Sequence, residues 1–109
     1  MPAELFEELH DTRTPPAYNW FDGSSWRASS NGHFFDVISP IDHSVLGKVP
    51  IVTHDEIDTA IKAAHVAQKE WEKKTLLERG KVLQLAADWI REKEEYLTNL
   101  LVMEIGKPA

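Results

Sequence analysis

Five histidines, at positions 10, 33, 43, 54 and 65, are the residues best suited to metal ligation or proton transfer near neutral pH. No two stand at the short spacing of a metal-ligand pair. His54 and His65 could share one helix face, but at 1.5 Å per residue they lie about 16 Å apart, too far for one ion. His54-Asp55-Glu56 is a charged cluster that reads as the start of a helix rather than as an acid–base centre. Asp22, Asp36 and Asp42 fall where strand ends and turns are expected, the ordinary place for aspartate. Ser24-Ser25 and Ser29-Ser30 lack the Gly-x-Ser-x-Gly elbow of a serine nucleophile. The glycines at 23, 32, 47, 80 and 106 fit neither a P-loop nor a dinucleotide-binding Gly-x-Gly-x-x-Gly. The chain has no cysteine, and so no thiolate nucleophile, disulfide or cysteine-based metal site. Arg79 and Lys107 read as structural ion-pair or capping groups rather than substrate ligands. No residue is therefore assigned a catalytic, cofactor-binding or metal-binding role.

Composition narrows the partners. A net charge of −6 argues against nucleic acid or an anionic membrane surface, both of which call for a basic patch. No apolar run approaches the ~20 residues of a membrane span. Residues 1–11 are acidic and lack the basic start and apolar core of a signal peptide, so a cytoplasmic location is expected. Trp20, Trp26, Trp71 and Trp89 sit at hairpin and helix spacing on an acidic chain, which favours core packing over stacking on bases.

The elements follow from local signals. Residues 2–10 have the pattern of a short helix burying Leu5, Phe6 and Leu9, ended by the Pro15-Pro16 pair. Residues 1–17 are read as a mobile or loosely docked arm. Residues 18–52 are read as small antiparallel strands. Asp22-Gly23 between aromatic-rich runs 18–21 and 24–29 signals a two-residue hairpin turn with positive φ at both positions. Asn31-Gly32 marks a second turn before a strand over 34–38, and a further strand covers 45–49, bounded by Pro50. The pairing order stays open.

Residues 53–109 are read as three amphipathic helices. Thr53 with Glu56, and Thr75 with Glu78, form capping boxes. Ile57, Ile61, Ala64, Ala67 and Trp71 then recur at steps of three or four. Trp71, Leu83, Ala87 and Ile90 are expected to meet in one seam between antiparallel helices. The third helix, about 94–105, is apolar over more than one face, and Gly106 and Pro108 close it. So little chain can hardly cover such a helix, and a wet apolar patch including Leu97, Leu100 and Leu101 is expected. Pro108, one residue from the end, makes an odd place for a natural C-terminus.

Here a resemblance becomes visible. The run from Glu70 through Trp71, Thr75, Glu78-Arg79-Gly80 and Leu83 resembles the N-terminal region of the aldehyde dehydrogenase superfamily. In that family a Trp ending one helix is followed by a polar break and Glu-Arg-small-x-x-Leu. Glu104-Ile105-Gly106-Lys107-Pro108 is similar to the Glu-x-Gly-Lys-Pro that closes the next helix. Ser39-Pro40 followed by Val45-Leu46-Gly47-Lys48-Val49 is also similar. Each piece is weak alone; four in order over residues 18–109 are specific.

The resemblance implies an α/β fold with a Rossmann-related coenzyme domain, of which this segment supplies a short antiparallel β lead-in and three helices, 53–109 being an incomplete helical part. It implies NAD or NADP, an aldehyde substrate oxidised through a cysteine thiohemiacetal, the remainder of the enzyme chain as partner, and a homo-oligomer. The residues doing that chemistry lie, in the family, beyond this segment. Ser39-Pro40-Ile41-Asp42 and residues 101–108 look like the non-phosphorylating glyceraldehyde-3-phosphate dehydrogenases; semialdehyde dehydrogenases fit nearly as well. The rival reading is a non-catalytic helical interaction module, which needs no active site.

Overall fold

The computed structural model describes residues 8–109, and the short helix expected over residues 2–10 lies almost wholly outside them. Four strands precede three helices, in the order β1 (Trp20–Phe21), β2 (Trp26–Arg27), β3 (Phe34–Ile38), β4 (Val45–Pro50), α1 (His54–Glu72), α2 (Leu76–Glu92) and α3 (Glu94–Ile105). The segment is thus short antiparallel strands followed by three helices, as expected. β1 pairs with β2 and β3 with β4, in two separate two-stranded sheets.

The first hairpin corrects the expected two-residue turn. Trp20 pairs with Arg27 and Phe21 with Trp26, so the loop holds four residues. Of the two residues expected there, only Gly23 has positive φ. The cause is the Asp22 carboxylate, which accepts from the amides of Ser24 at 2.8 Å and Ser25 at 2.9 Å. That local capture competes with the tighter turn. A Cβ on Gly23 would come within 2.4 Å of the Ala63 Cβ, so the turn rests directly on α1.

In the second hairpin Asp36 faces Lys48, and the pair is closed by an ion pair of 2.8 Å. Val37 pairs with Gly47 but Ile38 with Val45, so Leu46 is the extra residue of a bulge. The loop returning from β3 to β4 is closed by hydrogen bonds from the Ser39 amide to the Ser44 carbonyl and from the His43 amide to the Ser39 carbonyl, both 2.9 Å.

The lead-in is not loose where it is described. The Lys48 amide donates to the Pro16 carbonyl at 2.9 Å and the Tyr18 amide to the Lys48 carbonyl at 2.8 Å, which straps this stretch parallel to β4. Ala17 lies in that strap and is buried.

The helix starts are as the capping boxes require. The amides of Glu56 and Glu78 each donate to the preceding threonine hydroxyl at 3.2 Å. The amides of Thr53 and Thr75 donate back to those glutamates at 2.9 and 3.0 Å. α3 ends at Gly106, with φ of 79° in the left-handed region that glycine tolerates.

Packing departs from expectation more than local structure does. Leu83 is 64% exposed and Ile90 53% exposed, so the seam proposed between the first two helices is absent; the appreciable helix–helix contact joins α2 to α3. Leu97 and Leu100 are half-buried, and only Leu101 of the expected patch is exposed. The reason is that α3 lies against the second hairpin, which covers part of the apolar circumference. The exposed apolar surface is shared by all three helices, with Ile61, Leu76, Leu77, Leu101 and Ile105 among its members.

Ser39 fixes α3 to the hairpin. It is 2% exposed, and its hydroxyl donates to the Met103 carbonyl at 2.8 Å while accepting from the Ile41 amide at 3.2 Å. In a polypeptide carrying this segment, Ser39→Ala should lower stability by about 1–3 kcal/mol, because Met103 and Ile41 lose their buried partner. Thr75→Ala should lower it by about 1 kcal/mol through loss of the cap. Chemical denaturation measures both; a change near zero for either would remove the role assigned to that side chain.

Candidate functional site

The best-defined concave surface lies between α3 and the second hairpin. This cleft of about 200 Å³ is lined by Tyr18, Val37, Leu46, Gly47, Val49, Leu100 and Glu104. Each element contributes for a local reason: the bulge admits Leu46, the strap places Tyr18, and the Ser39–Met103 bond holds α3 over them. Gly47 is required there, since a Cβ would come within 2.7 Å of the Tyr18 ring. Burial pushes the Tyr18 phenol up, and a shared hydrogen bond with Tyr96 and the nearby Glu104 push the same way. The phenol is neutral at physiological pH. The cleft is smaller than the ~300 Å³ at which ligand pockets begin. One phenol and one carboxylate among apolar walls offer neither nucleophile nor metal cage, so the cleft is a packing seam.

The other candidates are scattered. His10 Nδ1 lies 2.7 Å from the Asp11 carbonyl, and its ring meets Tyr18 edge-on at 5.4 Å. His43 occupies the tight turn between β3 and β4 with φ of 62°. His54 opens α1 and His65 stands on its exposed surface. Among the described residues no three of His, Cys, Asp or Glu stand close enough to hold a metal. Among them, too, no helix is long and apolar enough to cross a membrane.

Several carboxylates are held below their ordinary range, each by local hydrogen bonds that favour the charged form. For Asp22 the cause is foremost the Arg27 guanidinium, then the Ser24 and Ser25 amides. For Asp42 it is the Ser44 hydroxyl, for Glu56 the Thr53 amide, and for Asp11 the Ala17 amide. A carboxylate kept charged in this way does not serve as a general acid near neutral pH.

Arg79 corrects its expected role. It makes neither an ion pair nor a cap among the described residues, and its buried Nε has no hydrogen-bond partner. Lys107 lines a shallow pocket with Leu101, Ile105 and Pro108. In the sequence Ser39 stands out only as part of the Ser39-Pro40 motif after a strand; its bond to the Met103 carbonyl, 64 residues away, is not legible there.

A dinucleotide phosphate is commonly seated at an open helix N-terminus. At α1 and α2 the Glu56 and Glu78 carboxylates already accept the capping amides, and α3 begins with Glu94 and Glu95. Carboxylates at these positions repel a phosphate where an open helix start would bind one. The three described helix starts therefore do not fit a dinucleotide phosphate.

Residues 26–109 match the model of the Aldehyde dehydrogenase family. The chain is 34% identical over 105 residues to an NADP-dependent glyceraldehyde-3-phosphate dehydrogenase of Zea mays, covering 96% of this chain and 20% of that protein. It is 38% identical over 88 residues to a D-glyceraldehyde dehydrogenase (NADP(+)) of Picrophilus torridus, covering 81% of this chain and 18% of that protein. A solved 3,6-anhydro-L-galactose dehydrogenase in complex with NAP superposes with a TM-score of 0.73 at 35% identity, over 81% of this chain and 18% of that one. The chain spans about a fifth of the length of the curated relatives it matches.

The depressed carboxylates have a measurable consequence. Their folded-state pKa lies below the unfolded value, so their contribution is present above about pH 4 and is lost as pH falls through the folded value. The Ser24 and Ser25 amide resonances should therefore titrate with a midpoint well below the ordinary aspartate range. Asp22→Asn should abolish that transition. A midpoint at the ordinary value would show that Asp22 does not hold the turn.

Proposed function

The chain belongs to the aldehyde dehydrogenase family, and from that premise we propose that it is the N-terminal part of an NADP-dependent enzyme that oxidises an aldehyde to a carboxylic acid. The observation that carries the proposal is the family match over residues 26–109, which takes in β2–β4 and all three helices. The NADP-dependent names of the relatives favour NADP over NAD, and their substrates favour glyceraldehyde or its 3-phosphate. The reaction proposed for the longer polypeptide is attack by a cysteine thiolate on the aldehyde carbon to give a thiohemiacetal. This sequence has no cysteine, so that nucleophile belongs to another part of the polypeptide. So does the nucleotide site, since the described helix starts are closed by carboxylates. The role left to this segment is architectural: it supplies two outer hairpins and three helices to the coenzyme-binding domain.

The test is to purify the protein encoded by the reading frame that contains this segment. It is offered D-glyceraldehyde and glyceraldehyde 3-phosphate with NADP or NAD, and nicotinamide reduction is followed by absorbance. Aldehyde-dependent reduction is expected, with NADP preferred roughly tenfold or more, the amount one charge-assisted contact to the extra phosphate supplies. A reading frame that stops at Ala109, or a longer protein that reduces neither nucleotide, would overturn the proposal.

A further inference from the structure

An asparagine amide is hydrolysed from within the chain. The backbone nitrogen of the next residue attacks the side-chain carbon, ammonia leaves, and water opens the resulting succinimide. The attack needs a next residue with no side chain in the way, a base for the attacking N–H and an acid for the carbonyl oxygen. The chain has three asparagines: Asn19 precedes Trp20, Asn99 precedes Leu100 within α3, and Asn31 alone precedes glycine. Gly32 is exposed, has φ of 69°, and has nothing within 4 Å of where a Cβ would stand. The other turn of this kind, Asp22-Gly23, lacks these means. The Arg27 guanidinium and the Ser24 and Ser25 amides keep the Asp22 carboxylate charged, which makes it a poor electrophile. Gly23 is also pressed against Ala63.

Three hydrogen bonds orient the Asn31 side chain. Its Oδ1 accepts from the Ser29 hydroxyl at 3.0 Å and from the His33 amide at 2.9 Å. Its Nδ2 donates to the Ile51 carbonyl at 2.9 Å. The same Ser29 Oγ accepts from the Gly32 amide at 3.0 Å. One hydroxyl thus joins the N–H that must lose a proton to the carbonyl oxygen that must gain one. The His33 amide stabilises negative charge as it develops on that oxygen. On the leaving side, the bond to the Ile51 carbonyl strengthens as Nδ2 becomes protonated. His33 and Ile51 act through their backbones, and the Ile51 amide in turn donates to the His33 carbonyl at 2.9 Å. These groups are held by the fold and open to water.

We infer that Asn31 is a modification site, converted through a succinimide with Gly32, and that Ser29 relays the proton. A bond forms between the Gly32 nitrogen and Asn31 Cγ as the Gly32 proton passes to Ser29 Oγ and the Ser29 proton passes to Asn31 Oδ1. The Cγ–Nδ2 bond then breaks, the Oδ1 proton goes to the nitrogen, and ammonia departs. One water adds to either succinimide carbonyl and gives aspartate or isoaspartate; nothing is oxidised or reduced. The product has no donor for the Ile51 carbonyl and presents a carboxylate in its place. The β2–β3 loop is thereby released from the stretch that precedes α1. The inference stands apart from the enzyme reading, since it uses only this loop and Ile51.

The test uses the longer polypeptide that carries the segment. It is incubated at neutral pH, folded and, in parallel, denatured in guanidinium chloride. Peptide mapping by mass spectrometry follows the amide-to-acid conversion at each asparagine, and an isoaspartyl methyltransferase assay counts isoaspartate. Folded protein should convert at Asn31 before Asn19 or Asn99. Its rate there should exceed that of the denatured chain roughly two- to tenfold, the advantage one hydrogen bond supplies in a transition state. Ser29→Ala should remove the advantage and leave the denatured rate unchanged, while Ser29→Thr, which keeps a hydroxyl, should retain most of it. Slower conversion in the folded protein than in the denatured chain would mean that the turn shields Asn31, and the inference would be wrong. A Ser29→Ala rate in the folded state equal to or above that of the parent would be equally fatal. If Ser29→Ala does not fold, the folded and denatured rates of the parent and of Ser29→Thr decide the matter. Loss of aldehyde oxidation strikes the enzyme reading alone and leaves this outcome untouched.

Discussion

The hydroxyl of Ser39 donates to the Met103 carbonyl across 64 residues of sequence, and the arrangement of the segment depends on that contact. Buried polar groups cost free energy unless paired, so a hydroxyl that is 2% exposed between two elements fixes their relation. Ser39 serves both sides, donating to the last turn of α3 and accepting from the Ile41 amide in its own loop. The contact is reinforced where α3 ends, since a Cβ on Gly106 would lie 3.2 Å from Pro40. With α3 held there, Leu100 and Glu104 close over Val37, Leu46 and Val49, and Gly47 leaves room for the Tyr18 ring between them.

Away from that joint the molecule is open. Its radius of gyration is 16.4 Å, against about 13 Å for a compact domain of this length. Its accessible surface is 8348 Å², against roughly 6100 Å² for a folded monomer of this mass. None of the three helices contains a fully buried residue. Amphipathic helices owe most of their stability to the face they bury. Helices with sound caps and unburied faces are what a piece of a larger α/β domain presents when its neighbours are absent.

The same helices show what their N-termini are used for. A helix start is useful to an enzyme when its amides are free to meet an anion. Here the capping boxes that make α1 and α2 begin cleanly also close their N-termini with glutamates. The depressed carboxylates are likewise spent on turns and caps. Local stability and catalytic availability compete for the same groups, and in this segment local stability has taken them.

What the sequence determined by itself is what short-range interactions decide. The capping boxes at Thr53 and Thr75, the left-handed end at Gly106 and the span of α3 depend on groups within a few residues of one another, so they were legible in the letters. The family resemblance was legible for the same reason, since its motifs are caps, turns and helix ends in order. The tertiary structure alone decided that residues 16–18 strap onto β4, that Leu46 bulges, that α3 packs on the hairpin, and that Arg79 is left without a partner. An amphipathic stripe announces that a face will be covered but not what will cover it. Hydrophobic burial is non-directional, and its partner is fixed only by where the rest of the chain lies.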